Sequence, residues 1–261
     1  MAKTKEHLFQ KIIECERRGD FHFNVDTINM NGYNPVDETY SYLSRNFFEK
    51  MFFGFFRIFV MISAVIINTF IFRLKIKGRK NLKGHKNAII ISNHVHYLDS
   101  MIIRQAVFGH RLYIVVGEFN NRKGTLGKLL RASGTLPLSS SKRAMINFTK
   151  TTKHLLTKGN YLLMYPEEAE WHFYEKPRPF KDGAFHMAVS NRVPIIPLFI
   201  TFQNKKRSPH KKATIHILEA IFLDEDLLEK DKIQFLKEKS FQAFKQKYEE
   251  FYQKQLIYET E

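Results

Sequence analysis

A histidine and an aspartate spaced for proton transfer follow a short apolar stretch of the sequence. Ala88–Ser92 is almost wholly apolar, which is typical of a strand buried on both faces, and His94 and Asp99 come soon after it. Ligands collect at the carboxyl ends of strands in open α/β sheets. A histidine there can act as a general base when a carboxylate fixes its tautomer. Such a pair can deprotonate a hydroxyl, which then attacks a thioester without a covalent acyl-enzyme.

The same residues also have structural interpretations. Asp99 can simply be the N-cap of the helix predicted at 99–108, and the neighbouring His96 can be an ordinary, partly buried histidine. Spacing alone leaves the catalytic and the structural roles open.

Strand and helix patterns alternate from about residue 76 onwards. This alternation predicts an α/β fold, a single domain with a largely parallel mixed sheet flanked by helices and preceded by an apolar helical segment. The predicted organisation has four parts, and the role of the first is unknown. They are a peripheral polar N-terminal extension (1–45), a membrane-associating helical segment (46–73), the α/β domain (74–223) and a charged C-terminal helical tail (224–261).

The most apolar segment is Met51–Phe72, which has 22 residues and is long enough to cross a bilayer. Arg57 and Asn68 interrupt it, and both flanks are basic, whereas a single span normally has its positive charge on one side. The pattern therefore favours a helix embedded in one leaflet, with nearby lysines reaching anionic head groups. A transmembrane span and a buried core helix are the alternatives.

The formal net charge of +16 predicts an anionic partner, either a nucleic acid, an anionic lipid or a phosphorylated substrate. No nucleic-acid-binding motif accompanies the charge, and many basic residues lie beside the apolar segment, so we expect no nucleic acid. The single cysteine, Cys15, excludes an intramolecular disulfide and fits a reducing compartment. The first fifteen residues are polar, so we expect no signal peptide. We expect membrane association at the cytoplasmic face of the cell membrane.

Several short motifs occur in an order that resembles the glycerolipid acyltransferases, the family that includes lysophosphatidic acid acyltransferases. The first is Asn93-His94 with Asp99, and three further blocks follow it. These are Gly134-Thr135-Leu136-Pro137-Leu138, Tyr165-Pro166-Glu167 and Val193-Pro194-Ile195-Ile196-Pro197-Leu198, with Phe180–Phe185 between the last two also similar to a family segment. The resemblance covers roughly residues 74–200. It implies that His94 is the base, that Asp99 orients it and that Glu167 contributes to acceptor binding.

Two departures from the family pattern concern the acceptor. Ser140 stands where many members have a phosphate-binding arginine, and the nearby Lys142 and Arg143 are candidate substitutes. The third block usually reads Pro-Glu-Gly-Thr but here continues from Glu167 with Glu168 and Ala169. Lys181 and Gly183, in the segment before the fourth block, complete the predicted substrate-binding set. The departures place lysophosphatidic acid, the usual acceptor of the family, in question.

The resemblance implies an O-acyltransferase of phospholipid biosynthesis or remodelling. It also implies acyl-CoA or acyl-carrier protein as the co-substrate and a lysophospholipid as the acceptor, with 1-acyl-glycerol-3-phosphate as the first candidate. Membrane phospholipids are the expected partners. We expect no metal and no organic cofactor, and the oligomeric state is left open. A non-catalytic lipid-binding protein that retains the fold is the alternative. The aromatic and basic segment Trp171–Arg178 is either a lid or acyl-chain wall, or a loop with its tryptophan packed inward.

Overall fold

The computed structural model describes residues 2–27, 31–44, 46–205 and 208–260, and within these ranges seven strands form one sheet. Their bounds in chain order are β1 (Lys75–Lys77), β2 (Ala88–Ser92), β3 (Leu112–Val116), β4 (Thr135–Pro137), β5 (Tyr161–Met164), β6 (Ile195–Lys205) and β7 (Ser208–Ile217). The order across the sheet is β1-β7-β6-β2-β5-β3-β4. Neighbours are parallel except β6 and β7, which are antiparallel. The predicted α/β fold with a largely parallel mixed sheet is confirmed.

The helices of the described ranges begin and end close to where the periodicity predicts. Their bounds are α1 (Ala2–Arg17), α2 (Phe47–Phe70), α3 (Asp99–Ala106), α4 (Gly124–Ser133), α5 (Lys142–Thr157), α6 (Gly183–Asn191) and α7 (Glu229–Tyr252). The sequence pattern predicts a helix over 142–157 and strands over 88–92 and 112–116, and the observed bounds of α5, β2 and β3 agree with these. The largest strand differences are in β6 and β7, for which the pattern predicts strands over 193–200 and 214–218. β6 ends later and β7 begins earlier than predicted, because the two strands pair with each other along most of their length.

The position of β2 explains its unbroken apolar sequence. It lies between β5 and β6, and all five of its residues are buried. Ile89 and Ile91 belong to the core beneath α5, α6 and α7, whereas Ile90 belongs to the core beneath α3. Since successive side chains of a strand point to opposite faces, a sheet covered on both sides needs apolar residues at every position.

The apolar helix α2 packs along α3 and α4, with most of its surface outside the protein core. Its two interrupting polar residues face the protein. Arg57 Nε donates to the carbonyl of Ala132 at 3.0 Å, and Asn68 Nδ2 donates to the carbonyl of Met101 at 3.0 Å. The remaining surface is strongly apolar, and its exposed large side chains are Phe47, Phe48, Met51, Phe52, Phe55, Ile58, Phe59, Ile62, Val65, Ile66 and Phe70. This exposure excludes the buried core helix. The length and composition of α2 are sufficient to cross a membrane.

The two terminal regions pack onto the domain more closely than the sequence predicts. The N-terminal segment was expected at the periphery, but Ile12, Cys15 and Phe21 share a buried cluster with Trp171. In the charged C-terminal region, α7 places Phe244 against the ring of Phe199, with centroids 5.0 Å apart. Isolated apolar residues among charges do not predict such contacts, because the partners lie far away in the sequence.

Candidate active site

The loop that carries the first motif is fixed to the sheet by Asn93. The Asn93 side chain donates to the carbonyl of Ile200 at 2.9 Å and accepts from the N–H of the same residue at 2.8 Å. This pair of hydrogen bonds ties the end of β2 to β6 and sets the direction in which the chain leaves the sheet. The loop that carries His94 therefore begins at a fixed, buried point on the carboxyl edge of the sheet, where ligands are expected.

His94 and Asp99 form the contact that their spacing predicts. The imidazole Nδ1 lies 3.1 Å from Asp99 Oδ2, and the side chain of Asp99 is 1% exposed whereas that of His94 is 23% exposed. Because Asp99 accepts at Nδ1, the neutral imidazole carries its proton there and has its lone pair at Nε2. The ring also stacks on Tyr165, with centroids 4.1 Å apart and planes 16° apart. Both contacts fix the orientation of the imidazole.

The Asp99 carboxylate organises the loop before α3 as well as the histidine. Its Oδ2 accepts the backbone N–H groups of Val95 and His96 at 2.8 and 3.0 Å. Burial raises the pKa of Asp99, and the hydrogen bonds from His94 and from these two backbone groups act in the opposite direction. The helix α3 begins at Asp99, but the carboxylate caps the preceding loop. The N-cap role weighed for Asp99 is therefore not observed, because the N-cap position of α3 is Leu98.

Glu167 lies behind the histidine, in an ion pair that the sequence does not predict. Glu167 Oε2 accepts the backbone N–H of His94 at 3.1 Å and lies 2.9 Å from Nη2 of Arg178, with both side chains fully buried. The same guanidinium nitrogen lies 3.3 Å from the carbonyl oxygen of His94, which also accepts the N–H of Trp171 at 3.0 Å. The Glu167–Arg178 pair thus holds the main chain of His94 on both sides.

A cavity of about 770 Å³ opens beside the histidine, and His94, Asp99, Lys181 and Gly183 all line it. The structure therefore brings these four predicted residues together. Glu167 is not among the lining residues, because its carboxylate is buried in the pair with Arg178. Direct contact between Glu167 and the acceptor, as the family pattern implies, is not supported by this placement.

Lys142 and Arg143 do not lie at the cavity. Both are exposed at the first turn of α5, and neither side chain lines the cavity wall. Ser140, which occupies the position of the family's arginine, donates instead to Glu118 at 3.3 Å. The predicted substitution of that arginine by Lys142 or Arg143 is therefore not supported, and Lys181 and Arg122 are the basic residues that line the cavity.

Other side chains of the site could not be identified from the sequence. Arg178 belongs to the aromatic and basic segment, but nothing in the local pattern distinguishes a buried arginine from a solvated one. Trp171 is fully buried, which favours the inward-packed alternative for that segment. Glu170 also lines the cavity. Burial raises the pKa of Glu170, but the hydrogen bond with His172 and the neighbouring imidazoles have a larger, opposite effect, so its pKa lies below the usual value.

Comparisons with known proteins agree with this geometry. The acyltransferase family model matches residues 73–201, the part of the chain that contains the histidine loop, the buried ion pair and Lys181. An uncharacterized acyltransferase of Schizosaccharomyces pombe is 31% identical over 160 residues, which are 58% of this chain and 57% of that protein. The 1-acyl-sn-glycerol-3-phosphate acyltransferase of Saccharomyces cerevisiae is 29% identical over 52% of this chain and 45% of its own length.

The chain belongs to the glycerolipid acyltransferase family, as a divergent member. The crystal structure of the 1-acyl-sn-glycerophosphate acyltransferase of Thermotoga maritima has the same fold, with a TM-score of 0.53, 18% identity and coverage of 83% of this chain and 87% of that one. The chain spans about half the length of the curated relatives described above. The resemblance carried by the four motifs is thus confirmed.

The altered third block contains a residue in a backbone conformation that favours glycine. Glu168 stands where the family has glycine, and its φ is 62°, in the left-handed region that glycine adopts more easily than other residues. Glu168 also lines the cavity, whereas Ala169 is buried against Trp171. The departure therefore adds a carboxylate to the cavity wall, at a residue that adopts the left-handed conformation.

Proposed function

We propose that this chain is an O-acyltransferase that moves a fatty acyl group from a thioester to a lysophospholipid-type hydroxyl, with His94 as general base. The single observation that carries the proposal is the contact between His94 Nδ1 and the buried Asp99, at the wall of a cavity large enough for a lipid headgroup and part of its chain. Membership of the family supplies the reaction class. The first acceptor to consider is 1-acyl-glycerol-3-phosphate.

The proposed step begins with the acceptor hydroxyl at Nε2 of His94. This nitrogen takes the hydroxyl proton while the oxygen attacks the thioester carbonyl carbon. The positive charge that develops on the imidazole is stabilised by Asp99, whose carboxylate is held by two backbone N–H groups. Collapse of the tetrahedral intermediate breaks the carbon–sulfur bond, and the imidazolium returns the proton to the thiolate. The products are an ester and a free thiol.

The cavity has a polar and an apolar part, as an amphipathic substrate requires. Its apolar lining includes Ile114, Val115 and Leu130, whereas Lys181 and Arg122 supply positive charge. Lys181 is exposed, so its ammonium group can meet the phosphate of an acceptor or of acyl-CoA without breaking a buried ion pair. The co-substrate is acyl-CoA or acyl-carrier protein, and no metal or organic cofactor takes part in the proposed step.

Membrane association is proposed to occur through α2, at the cytoplasmic face. The helix is fixed to the domain by Arg57 near its middle and by Asn68 near its C-terminal end. Its opposite face exposes phenylalanine and isoleucine side chains. Such a helix is best satisfied in the plane of one leaflet, where its apolar face meets acyl chains and its anchored face stays on the protein. The basic residues of 73–86 then lie close to anionic head groups.

The test of the proposed function is acyl transfer by the purified protein in mixed micelles. Radiolabelled palmitoyl-CoA and palmitoyl-acyl-carrier protein are offered with 1-oleoyl-glycerol-3-phosphate and a panel of other lysolipids, and products are separated by chromatography. We expect a labelled diacyl product from at least one acceptor. Absence of product from every donor and acceptor pair, in protein that still binds lysolipid, would contradict the proposal and favour the non-catalytic lipid-binding alternative.

A further inference from the structure

The N-terminal segment before residue 28 is held against the loop that follows β5. Arg178 Nη1 donates to the carbonyl of Phe21 at 2.9 Å, and Trp171 Nε1 donates to the carbonyl of Phe23 at 2.9 Å. The ring nitrogen Nδ1 of His22 lies 3.3 Å from the carbonyl oxygen of Glu167. The side chains that fix the main chain of His94 therefore also fix this segment.

Hydrophobic contacts and the C-terminal region keep the segment in place. Phe21 and Val25 are buried in the cluster that contains Trp171, and the ring of Tyr258 lies 4.8 Å from that of Phe21. Lys11 Nζ donates to the carbonyl of Val25 at 2.9 Å. The segment is thus built into the structure around the active site, and its position is set by residues from both ends of the chain.

The polar residues of this segment lie along the cavity. Phe21 and Val25 are buried beneath it, whereas His22, Asn24 and Asp26 line the same cavity as His94. Thr27 also lines the cavity, and Phe23, which is 46% exposed, lies on neither side. The side chains of His22, Asn24 and Asp26 offer an imidazole, an amide and a carboxylate, all of which suit a polar headgroup better than hydrocarbon.

We propose that residues 22–26 form the headgroup wall of the acceptor site and that Asp26 determines which headgroup is preferred. This proposal rests on the proposed acyltransferase function. The apolar residues Ile114, Val115 and Leu130 also line the cavity and suit the acyl chains. Asp26 places a negative charge at the wall and so disfavours a phosphate monoester, which carries up to two negative charges, relative to a phosphodiester headgroup such as phosphocholine.

The first experiment measures occupancy of the wall without turnover. Asn24→Cys places a thiol on the cavity, and Asp20→Cys places one on the exposed preceding turn, which is not part of the cavity lining. The natural Cys15 is buried, which makes it a poor target for a polar maleimide. We expect 1-oleoylglycerophosphocholine, in a fixed concentration of detergent, to slow labelling of Asn24→Cys about 10-fold or more, whereas labelling of Asp20→Cys changes less than about 2-fold.

Lysolipid binding is measured on the same samples by gel filtration with radiolabelled lipid. Equal labelling of Asn24→Cys with and without bound lysolipid would overturn the headgroup wall, and so would equal protection of both thiols. Since the labelling requires no acyl transfer, this result stands whether or not the enzyme turns over.

The second experiment measures selectivity with two matched variants. Asp26→Asn and Asp20→Asn each remove one exposed carboxylate of the same segment, but only Asp26 lines the cavity. We expect Asp26→Asn to raise the ratio of kcat/KM for 1-oleoyl-glycerol-3-phosphate over 1-oleoylglycerophosphocholine by about 3–10-fold, whereas Asp20→Asn leaves it unchanged. An unchanged ratio in Asp26→Asn, with an active wild type, contradicts the selectivity role. A wild type that acylates no acceptor of the lysolipid panel contradicts the proposed function, and the labelling experiment still decides on the wall.

Discussion

The backbone N–H of His94 donates to Oε2 of Glu167 at 3.1 Å, so the proposed base is held from behind by a carboxylate that lies outside the cavity lining. Arg178 completes the arrangement through contacts to Glu167 and to the carbonyl of His94. Because the imidazole is fixed by Asp99 and its main chain by this buried pair, the geometry at His94 depends on side chains distant in sequence. We infer that Glu167 and Arg178 are positioning residues.

Removal of one partner of the buried pair is expected to be costly. Glu167→Gln leaves the Arg178 guanidinium without a counter-charge in a fully buried position, and we expect a loss of about 3–5 kcal/mol in the free energy of unfolding. The double variant Glu167→Gln with Arg178→Met removes both charges, so we expect it to be more stable than the single variant. Chemical denaturation of the wild type and the variants checks this order. A single variant as stable as the wild type would show that the pair is not buried as described.

The basic residues of the cavity and of α5 are expected to differ in their effect on the acceptor. Lys181 lines the cavity, whereas Lys142 and Arg143 do not. Lys181→Met should raise the KM for 1-oleoyl-glycerol-3-phosphate by about 10-fold or more, since a hydrogen bond to a charged group contributes about 1.5–3 kcal/mol. The double variant Lys142→Met with Arg143→Met is the control, and it should change KM less than about 2-fold. A larger increase in KM in the double variant would indicate that the phosphate of the acceptor binds at the start of α5.

The exposed face of α2 is expected to carry most of the membrane affinity. Phe48, Phe55 and Phe59 are 72%, 66% and 62% exposed, and each phenylalanine contributes about 1.5–3 kcal/mol when it is fully buried in an apolar medium. The triple change of these residues to serine should reduce binding to vesicles of phosphatidylcholine and phosphatidylglycerol at least about 100-fold in a sedimentation assay, with little change in Tm. Phe222→Ser is the control, because Phe222 is 59% exposed outside the helix. If the triple variant bound vesicles as tightly as the wild type, another surface would have to contact the membrane.

Stability is expected to fall between about pH 6.5 and pH 4 because of His216. Burial, with smaller contributions from Lys247 and Lys77, lowers the pKa of His216 to about 4 from the usual 6.5. In this range the unfolded chain binds a proton that the folded chain does not, so the contribution is full above pH 6.5 and decreases as the pH falls. The shift corresponds to about 2–3 kcal/mol between pH 7 and pH 4.5. His216→Gln has no titrating group, and denaturation at both pH values should show a smaller loss for it. Equal losses would mean that His216 titrates normally in the folded chain.

The part of the site that lies close together in the sequence could be predicted from it. His94 and Asp99 are five positions apart in the sequence, and Ala88–Ser92 is almost wholly apolar, so the local pattern predicts both the strand and the dyad. Lys181 and Gly183 were found through the family resemblance, because the segment that contains them lies between two motifs. Their position at the cavity depends on contacts outside that segment, such as the hydrogen bond from the N–H of Lys181 to the carbonyl of Pro166 at 2.8 Å.

The rest of the site depends on contacts between distant residues. Arg178 meets Phe21 across 157 positions, and no local periodicity can indicate that an arginine is buried against a particular carboxylate. Lys142 and Arg143 show the converse error, since closeness in sequence to a motif did not bring them to the cavity. Arg57 and Asn68 were correctly identified as interruptions of an apolar segment, but only the fold shows that both face the protein.

The central claim is that His94 acts as the base. The most direct measurement is the rate of acyl transfer by His94→Ala, in the mixed-micelle assay and with the acceptor that the wild type prefers. The account predicts that kcat falls by at least about 10²–10⁴-fold, the contribution of a positioned general base, while the circular dichroism spectrum and vesicle binding are unchanged. Near-normal turnover in His94→Ala, with the fold intact, would contradict the mechanism.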